Sequence, residues 1–164
     1  MKKIISALVI VAIVLAAGFL YKKYRIAPGI KFEKLELTDI SGKPVKLHDY
    51  RGKKLFINFF ASWCSSCIAE FPSLDKTAET LIPDNFVFIS ISEDPLPLLN
   101  RVYERVNTRH IIFLHSVRKL KDLDVFTYPT SYLLNDKGRI VFERVGEQNW
   151  AEPRIIHELK EKAD

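Results

Sequence analysis

The sequence predicts an α/β domain in which a mixed central sheet is flanked by helices and covered on both sides. Three observations carry that expectation. Leu55–Phe60, Phe86–Ile91 and Ile111–Leu114 are nearly continuous apolar runs, as strands buried on both faces require. Between the second and third of these, Leu98, Leu99, Val102 and Val106 recur at helical spacing. Two hairpin patterns flank the alternating strands and helices, which makes the sheet mixed rather than purely parallel.

From the amino terminus, Ile4 to Leu20 is an apolar run broken only by Ser6. At 1.5 Å per residue it spans ~25 Å, close to a ~30 Å hydrocarbon core. Lys2 and Lys3 precede it, and Lys22, Lys23 and Arg25 follow it. Ala16-Ala17-Gly18 is a small-residue cleavage pattern, so a signal peptide competes with an uncleaved anchor. The length of the run and its basic exit favour the anchor, and no cysteine follows it to carry a lipid. The expected organisation is therefore an anchor with basic flanks (1–25), a linker (26–31) and one domain (32–164). The chain carries a net charge of +5, with 25 Lys and Arg against 20 Asp and Glu. The five basic residues flanking the apolar run account for the excess, leaving the domain neutral. A nucleic-acid partner is excluded as the meaning of the charge.

Within the domain, Lys31 to Tyr50 reads as a hairpin turning at Ser41-Gly42-Lys43-Pro44. After the strand at Leu55–Phe60, a helix runs from Cys64 to about Leu81, with Pro72 expected to kink it. Val117–Leu123 reads as a short basic helix. Thr130–Leu134 and Ile140–Val145 form a hairpin over Asn135-Asp136-Lys137-Gly138, and Glu152–Lys162 closes the chain as a helix burying Ile155, Ile156 and Leu159. The stretch from Glu93 to Arg109 is longer than a minimal fold of this kind needs.

Trp63-Cys64-Ser65-Ser66-Cys67 holds both cysteines of the chain, between a strand and a helix. A helix N-terminus carries about half a positive charge and unpaired N–H groups, which stabilise a thiolate placed there. A second cysteine one turn on faces the same side and can close a disulfide. A purely structural bridge over so short a loop is a poor staple. A zinc site wants four ligands, and His48, His110, His115 and His157 are scattered. Strand, C-x-x-C and helix together favour a reversible thiol–disulfide switch over metal handling and over a structural bridge.

Extended to Phe56–Pro72, the segment resembles the membrane-tethered, TlpA/ResA-like branch of the thioredoxin superfamily, whose pattern is close to N-F-W-A-x-W-C-x-x-C-x-x-E-x-P. Tyr128-Pro129-Thr130, followed by strand, turn and strand, is similar to that family's cis-proline loop, and Leu37 to Lys53 to its N-terminal hairpin. The resemblance covers roughly residues 32–160. It implies a thioredoxin-like fold with an N-terminal hairpin and a central insertion, preceded by one transmembrane helix. It implies Cys64, Cys67 and Glu70 as catalytic residues and Trp63, Tyr128, Pro129 and Thr130 as client-binding ones. It calls for no metal and for no cofactor besides a redox-active Cys64–Cys67 disulfide. Asn58 stands where cytosolic thioredoxins have a buried, titrating aspartate, which leaves proton transfer to Glu70, unless Glu70 merely complements the helix dipole. Ser65-Ser66 replaces the family's usual x-Pro.

The implied activity is extracytoplasmic reduction of client disulfides, as in apocytochrome c, with electrons from a polytopic membrane thiol carrier and the domain on the periplasmic side of a bacterial inner membrane. A disulfide-forming oxidase and a copper-handling protein of the same fold remain as alternatives, as does a passive binding module. Copper handling lacks a methionine beyond Met1, and a peroxidase lacks threonine three residues before Cys64, where Ala61 stands.

Overall fold

The computed structural model describes Ile10, Ile13, Leu15, Ile30 and residues 32–164. The expected anchor and linker thus lie, those four positions apart, outside the described residues. Among the described residues no helix is long and apolar enough to cross a membrane.

The described strands are β1 (Leu37–Asp39), β2 (Pro44–Val45), β3 (Lys54–Phe59), β4 (Phe86–Ser92), β5 (Ile111–Ser116), β6 (Thr130–Leu134) and β7 (Ile140–Val145). The α-helices are α1 (Ser65–Leu81), α2 (Leu96–Val106) and α3 (Pro153–Ala163). The strands form one sheet in the order β2-β1-β5-β4-β3-β6-β7. β3, β4 and β5 are mutually parallel and every other pairing is antiparallel, so the sheet is mixed as expected. The stretch Glu93–Arg109 is the α2 crossover that delivers β5 to β4.

Strand alternation divides the interior into two layers. Phe56, Phe88, Phe113 and Leu133 face a cluster that holds the buried residues of all three α-helices. Leu55, Ile57, Phe59, Ile89, Ile91 and Tyr132 face the other way, onto Leu37, Leu120, Leu123 and Val125. Both faces are covered, but the α-helices lie on one side only. The other side is roofed by loops and 3-10 turns. The reason is topological: β3, β4 and β5 are laid down in one direction across the sheet, and right-handed crossovers then put α1 and α2 on the same face.

Three local expectations are corrected. Val117–Leu123 is not a basic helix; only Leu120–Leu123 is helical, as a 3-10 turn closed by Asp124 in the left-handed region (φ 68°). Its buried residues, Leu120 and Leu123, stand three apart, the spacing that a 3-10 turn stacks on one side. In the N-terminal hairpin only β1 and β2 pair, while Phe32–Lys34 and Leu47–Tyr50 are 3-10 turns. Ile156 packs against the core without being fully buried. α1 passes through Pro72 to Leu81 without a break, despite the N–H bond that proline cannot make.

Candidate functional site

β3 and α1 place the cysteines. After Phe59 the chain stays in the sheet for one more bond, Phe60 N–H to Ile91 O at 3.0 Å, then turns, with Cys64 N–H on Ala61 O at 3.1 Å. Cys64 is the N-cap of α1 in extended geometry, and its sulfur accepts the N–H of Cys67 at 3.2 Å. Cys64 and Cys67 are joined as a disulfide. Cys64 is 6% exposed and Cys67 fully buried, so Cys64 is the more accessible of the two. The first turn of α1 carries no acid. The Ser66 hydroxyl lies 3.4 Å from the Cys64 sulfur. Replacing it (Ser66→Ala) should slow alkylation of the reduced Cys64 at neutral pH by up to about ten-fold, since a hydrogen bond to a charged group contributes ~1.5 kcal/mol at the low end. An unchanged rate across pH 6–9 would show that Ser66 does not touch the thiolate.

One turn beyond Cys67, Glu70 is buried, 1% exposed. Its Oε1 accepts from Asn58 Nδ2 at 2.8 Å. Its Oε2 accepts from the indole Nε1 of Trp150 at 3.0 Å and from Gln148 N–H at 3.3 Å. Burial is the main cause that pushes the Glu70 carboxyl up to about 7, with Glu147 adding to it; the three donors pull the other way and do not win. Glu70 is thus a buried carboxyl whose ionisation is disfavoured, not an exposed acid.

Asn58 belongs to a polar row that the register builds across the helix-facing side of the sheet. Ser131 of β6 and Ser90 of β4 are its cross-strand neighbours. Asn58 Nδ2 also donates to Ser131 Oγ at 3.1 Å, and Ser90 Oγ donates to Asn58 Oδ1 at 3.5 Å. Trp150, Gln148, Ser90 and Ser131 are not marked by any motif. The available signal is a polar residue inside each of three largely apolar strands, Asn58, Ser90 and Ser131.

The rim of the site is aromatic. Trp63 is 75% exposed and meets the Tyr128 ring edge-on at 6.0 Å. The Tyr128–Pro129 bond is cis, as the resemblance implied. The phenol of Tyr128 is pushed up to about 12, first by burial and then by Glu93 and Asp94. Asp94 holds the loop before the cysteines, accepting Ser62 N–H at 2.6 Å and the Ser92 hydroxyl at 2.8 Å. The structure turns Thr130 inward: it is 3% exposed and its hydroxyl donates to Thr127 O at 2.7 Å, so that hydroxyl is committed to the loop, not to a client. Trp63 and Tyr128 therefore meet at the rim, while Cys64 and Pro129, their chain neighbours, are buried beneath it.

A cavity of about 700 Å³, lined in part by Phe32, Tyr50, Arg51, Leu55 and Leu134, lies elsewhere. Leu55 pairs with Leu134 at the end of β3 and β6 away from Phe59, Thr130 and the disulfide. Among the described residues no group of three His, Cys, Asp or Glu side chains is placed to hold a metal ion.

Comparison with known proteins agrees with this geometry. The Redoxin family profile matches residues 27–159. The thiol-disulfide oxidoreductase ResA of Bacillus thuringiensis subsp. konkukian is 26% identical over 142 residues, covering 84% of this chain and 81% of its own. The thioredoxin-like protein YneN of Bacillus subtilis is 28% identical over 158 residues, covering 89% and 91% respectively. Among solved structures, the exposed lipoprotein thioredoxin Etrx1 of Streptococcus pneumoniae aligns with a TM-score of 0.64 at 28% identity, over 77% of this chain and 97% of its own.

Proposed function

The chain belongs to the Redoxin family and is a ResA-like thiol–disulfide oxidoreductase of thioredoxin fold, and from that premise we propose that it reduces disulfides of client proteins outside the cytoplasm, held to the membrane by its N-terminal segment. The observation that carries the reductive direction is the buried Glu70 one turn from the cysteine pair. A carboxylate there disfavours thiolate. Thiolate stabilisation is what makes a dithiol couple strongly oxidising, so its opposite moves the couple toward the reducing end.

The proposed cycle balances as a two-electron exchange. The Cys64 thiolate attacks one sulfur of a client disulfide, and the other client sulfur leaves as thiolate. Cys67 gives its proton to Glu70, and its thiolate attacks the Cys64 sulfur. The second client thiolate departs as the Cys64–Cys67 disulfide closes. Trp63 and Tyr128 receive the client at the rim, and the backbone before Pro129 runs beside an extended client segment. The site is a surface rim rather than a pocket, which suits a protein client. No cofactor beyond the disulfide enters the cycle. A polytopic membrane thiol carrier would return the electrons, and apocytochrome c is a client of the chemistry that the site fits. The apolar run Ile4–Leu20 supports the membrane location, and the pneumococcal relative is itself an exposed lipoprotein thioredoxin.

Equilibrium titration of the full chain in redox buffers, read by thiol alkylation, tests the direction. Couples of this fold span roughly −270 to −120 mV. A value toward the negative end is expected. A value near the positive end would make the chain a disulfide-forming oxidant, and absence of a reversible two-electron couple would return the question to copper or to a passive scaffold. Carbonate extraction of membranes tests the anchor: the chain should stay in the pellet.

A further inference from the structure

Glu70 is held by a segment far from it in sequence. Between β7 and α3, the chain from Glu147 to Trp150 folds back onto α1. Trp150 N–H donates to Ser73 Oγ at 3.2 Å, and that hydroxyl in turn donates to Glu70 O at 2.8 Å. The indole of Trp150 is buried, 1% exposed, and edge-on to both Phe56 at 4.8 Å and Phe142 at 6.4 Å. Those rings fix its plane, and its one donor then falls on Glu70 Oε2. An indole N–H donates only, so it has favourable geometry with a carboxylate oxygen and nothing to offer the proton of a carboxylic acid.

We propose that Trp150 is a positioning residue for Glu70: its indole N–H, seconded by the Gln148 amide, fixes one carboxylate oxygen and sets the pH at which the redox site takes up and gives up its proton. The other groups facing Glu70 make this assignment specific. β3, β4 and β6 present Asn58, Ser90 and Ser131, none of which titrates. From the loop, Glu147 is the one ionised group that acts on it, and it opposes ionisation. The cysteines on its own helix are neutral in the disulfide. Against burial and Glu147, the hydrogen bonds are what favour the carboxylate, with the one from Trp150 contributing most.

The proposal rests on Glu70 as the proton carrier of the cycle, and the test separates the two. In the full wild-type chain, labelled at tryptophan nitrogen and glutamate carboxyl carbon, the Trp150 indole resonance should move with the Glu70 carboxyl, with a common midpoint near pH 7. Trp63, the only other tryptophan, is exposed and should stay flat. In Trp150→Phe, which keeps an aromatic ring and removes the donor, the Glu70 midpoint should rise by about one pH unit, the scale of one hydrogen bond to a charged group. An indole resonance indifferent to the Glu70 titration, or a Glu70 midpoint unmoved in a folded Trp150→Phe chain, overturns the proposal. If that variant does not fold, the wild-type indole titration decides alone. If Glu70→Gln leaves the pH profile of Cys64 alkylation unchanged, the proton-carrier reading falls, while the indole titration still decides the role of Trp150.

Discussion

A Cys67→Ser chain should accumulate covalent complexes with its clients, and Cys64→Ser should accumulate none. Cys64 caps α1 and keeps a sliver of exposure, 6%, while Cys67 has none. On the proposed cycle the more accessible Cys64 meets the client sulfur, and the mixed disulfide forms there. Its release needs a second sulfur within bonding distance, and Cys67 supplies it in the closed disulfide. With serine at 67 the first exchange proceeds and the second does not. The complexes should appear on non-reducing gels, disappear on reduction and be absent from Cys64→Ser and from the double variant. Catalysed disulfide reduction should fall by about 10³-fold or more in each single variant, the scale of removing a nucleophile from a site whose parts act as a unit. Full turnover in Cys67→Ser without any trapped partner would sink the assignment of both roles. If trapping occurred through Cys67 instead, the burial order of the two sulfurs would have to reverse in the reduced state.

The parts of the site that could be read in the chain are those whose chemistry is local. Cys64 and Cys67 lie one turn apart between a strand and a helix, so spacing alone marks them, while Glu70 and the contiguous Tyr128-Pro129-Thr130 are marked by short local motifs that carry the family resemblance. Trp63 is marked by the same resemblance, and the structure exposes it on the turn before α1, against Tyr128. What stayed hidden is non-local. Trp150 reaches Glu70 across 80 positions, and nothing in Gly146-Glu147-Gln148-Asn149-Trp150 shows that the loop folds back onto α1. The Ser131–Asn58–Ser90 row exists only once β3 lies between β4 and β6 in one register. Slipping either strand by one residue would turn its serine to the far face. The fold followed a similar division. The apolar runs of β3, β4 and β5 marked themselves. The one-sided placement of the α-helices came from strand order, which periodicity does not encode. Val117–Leu123 failed as a helix because basic, exposed residues there resembled a polar helix face, while only Leu120 and Leu123 had anything to bury.

Glu70→Gln should flatten the pH dependence of stability of the oxidised protein between about pH 4.5 and 7. The carboxyl is raised from its ordinary 4.5 to about 7 in the folded state, so between those values the folded chain holds a proton that the unfolded chain has released. Stability then falls as pH rises through this window, and the loss is complete above the folded value. The shift corresponds to about 3 kcal/mol, present as stability below pH 4.5 and gone by pH 8. Glutamine removes that slope because it cannot ionise. It also fits the site. Its carbonyl can accept from Trp150 and Gln148 as Oε2 does, and its amide can donate to Asn58 once the Asn58 amide rotates to present oxygen. The hydroxyls of Ser90 and Ser131 turn to suit either orientation. This tolerance separates Glu70→Gln from Glu70→Ala, which would strip the buried Trp150 indole N–H of its acceptor, take one partner from Asn58 and Gln148, and destabilise the fold at every pH. Denaturant unfolding of both chains from pH 4 to 8 measures the difference: the wild type should lose stability relative to Glu70→Gln as pH rises. Parallel curves would mean that Glu70 ionises in the fold as it does in the open chain, and that the burial and the hydrogen bonds around it cancel. The same substitution should slow resolution of the mixed disulfide. Glutamine cannot accept the proton of Cys67, so covalent complexes that are transient in the wild type should become detectable with both cysteines in place.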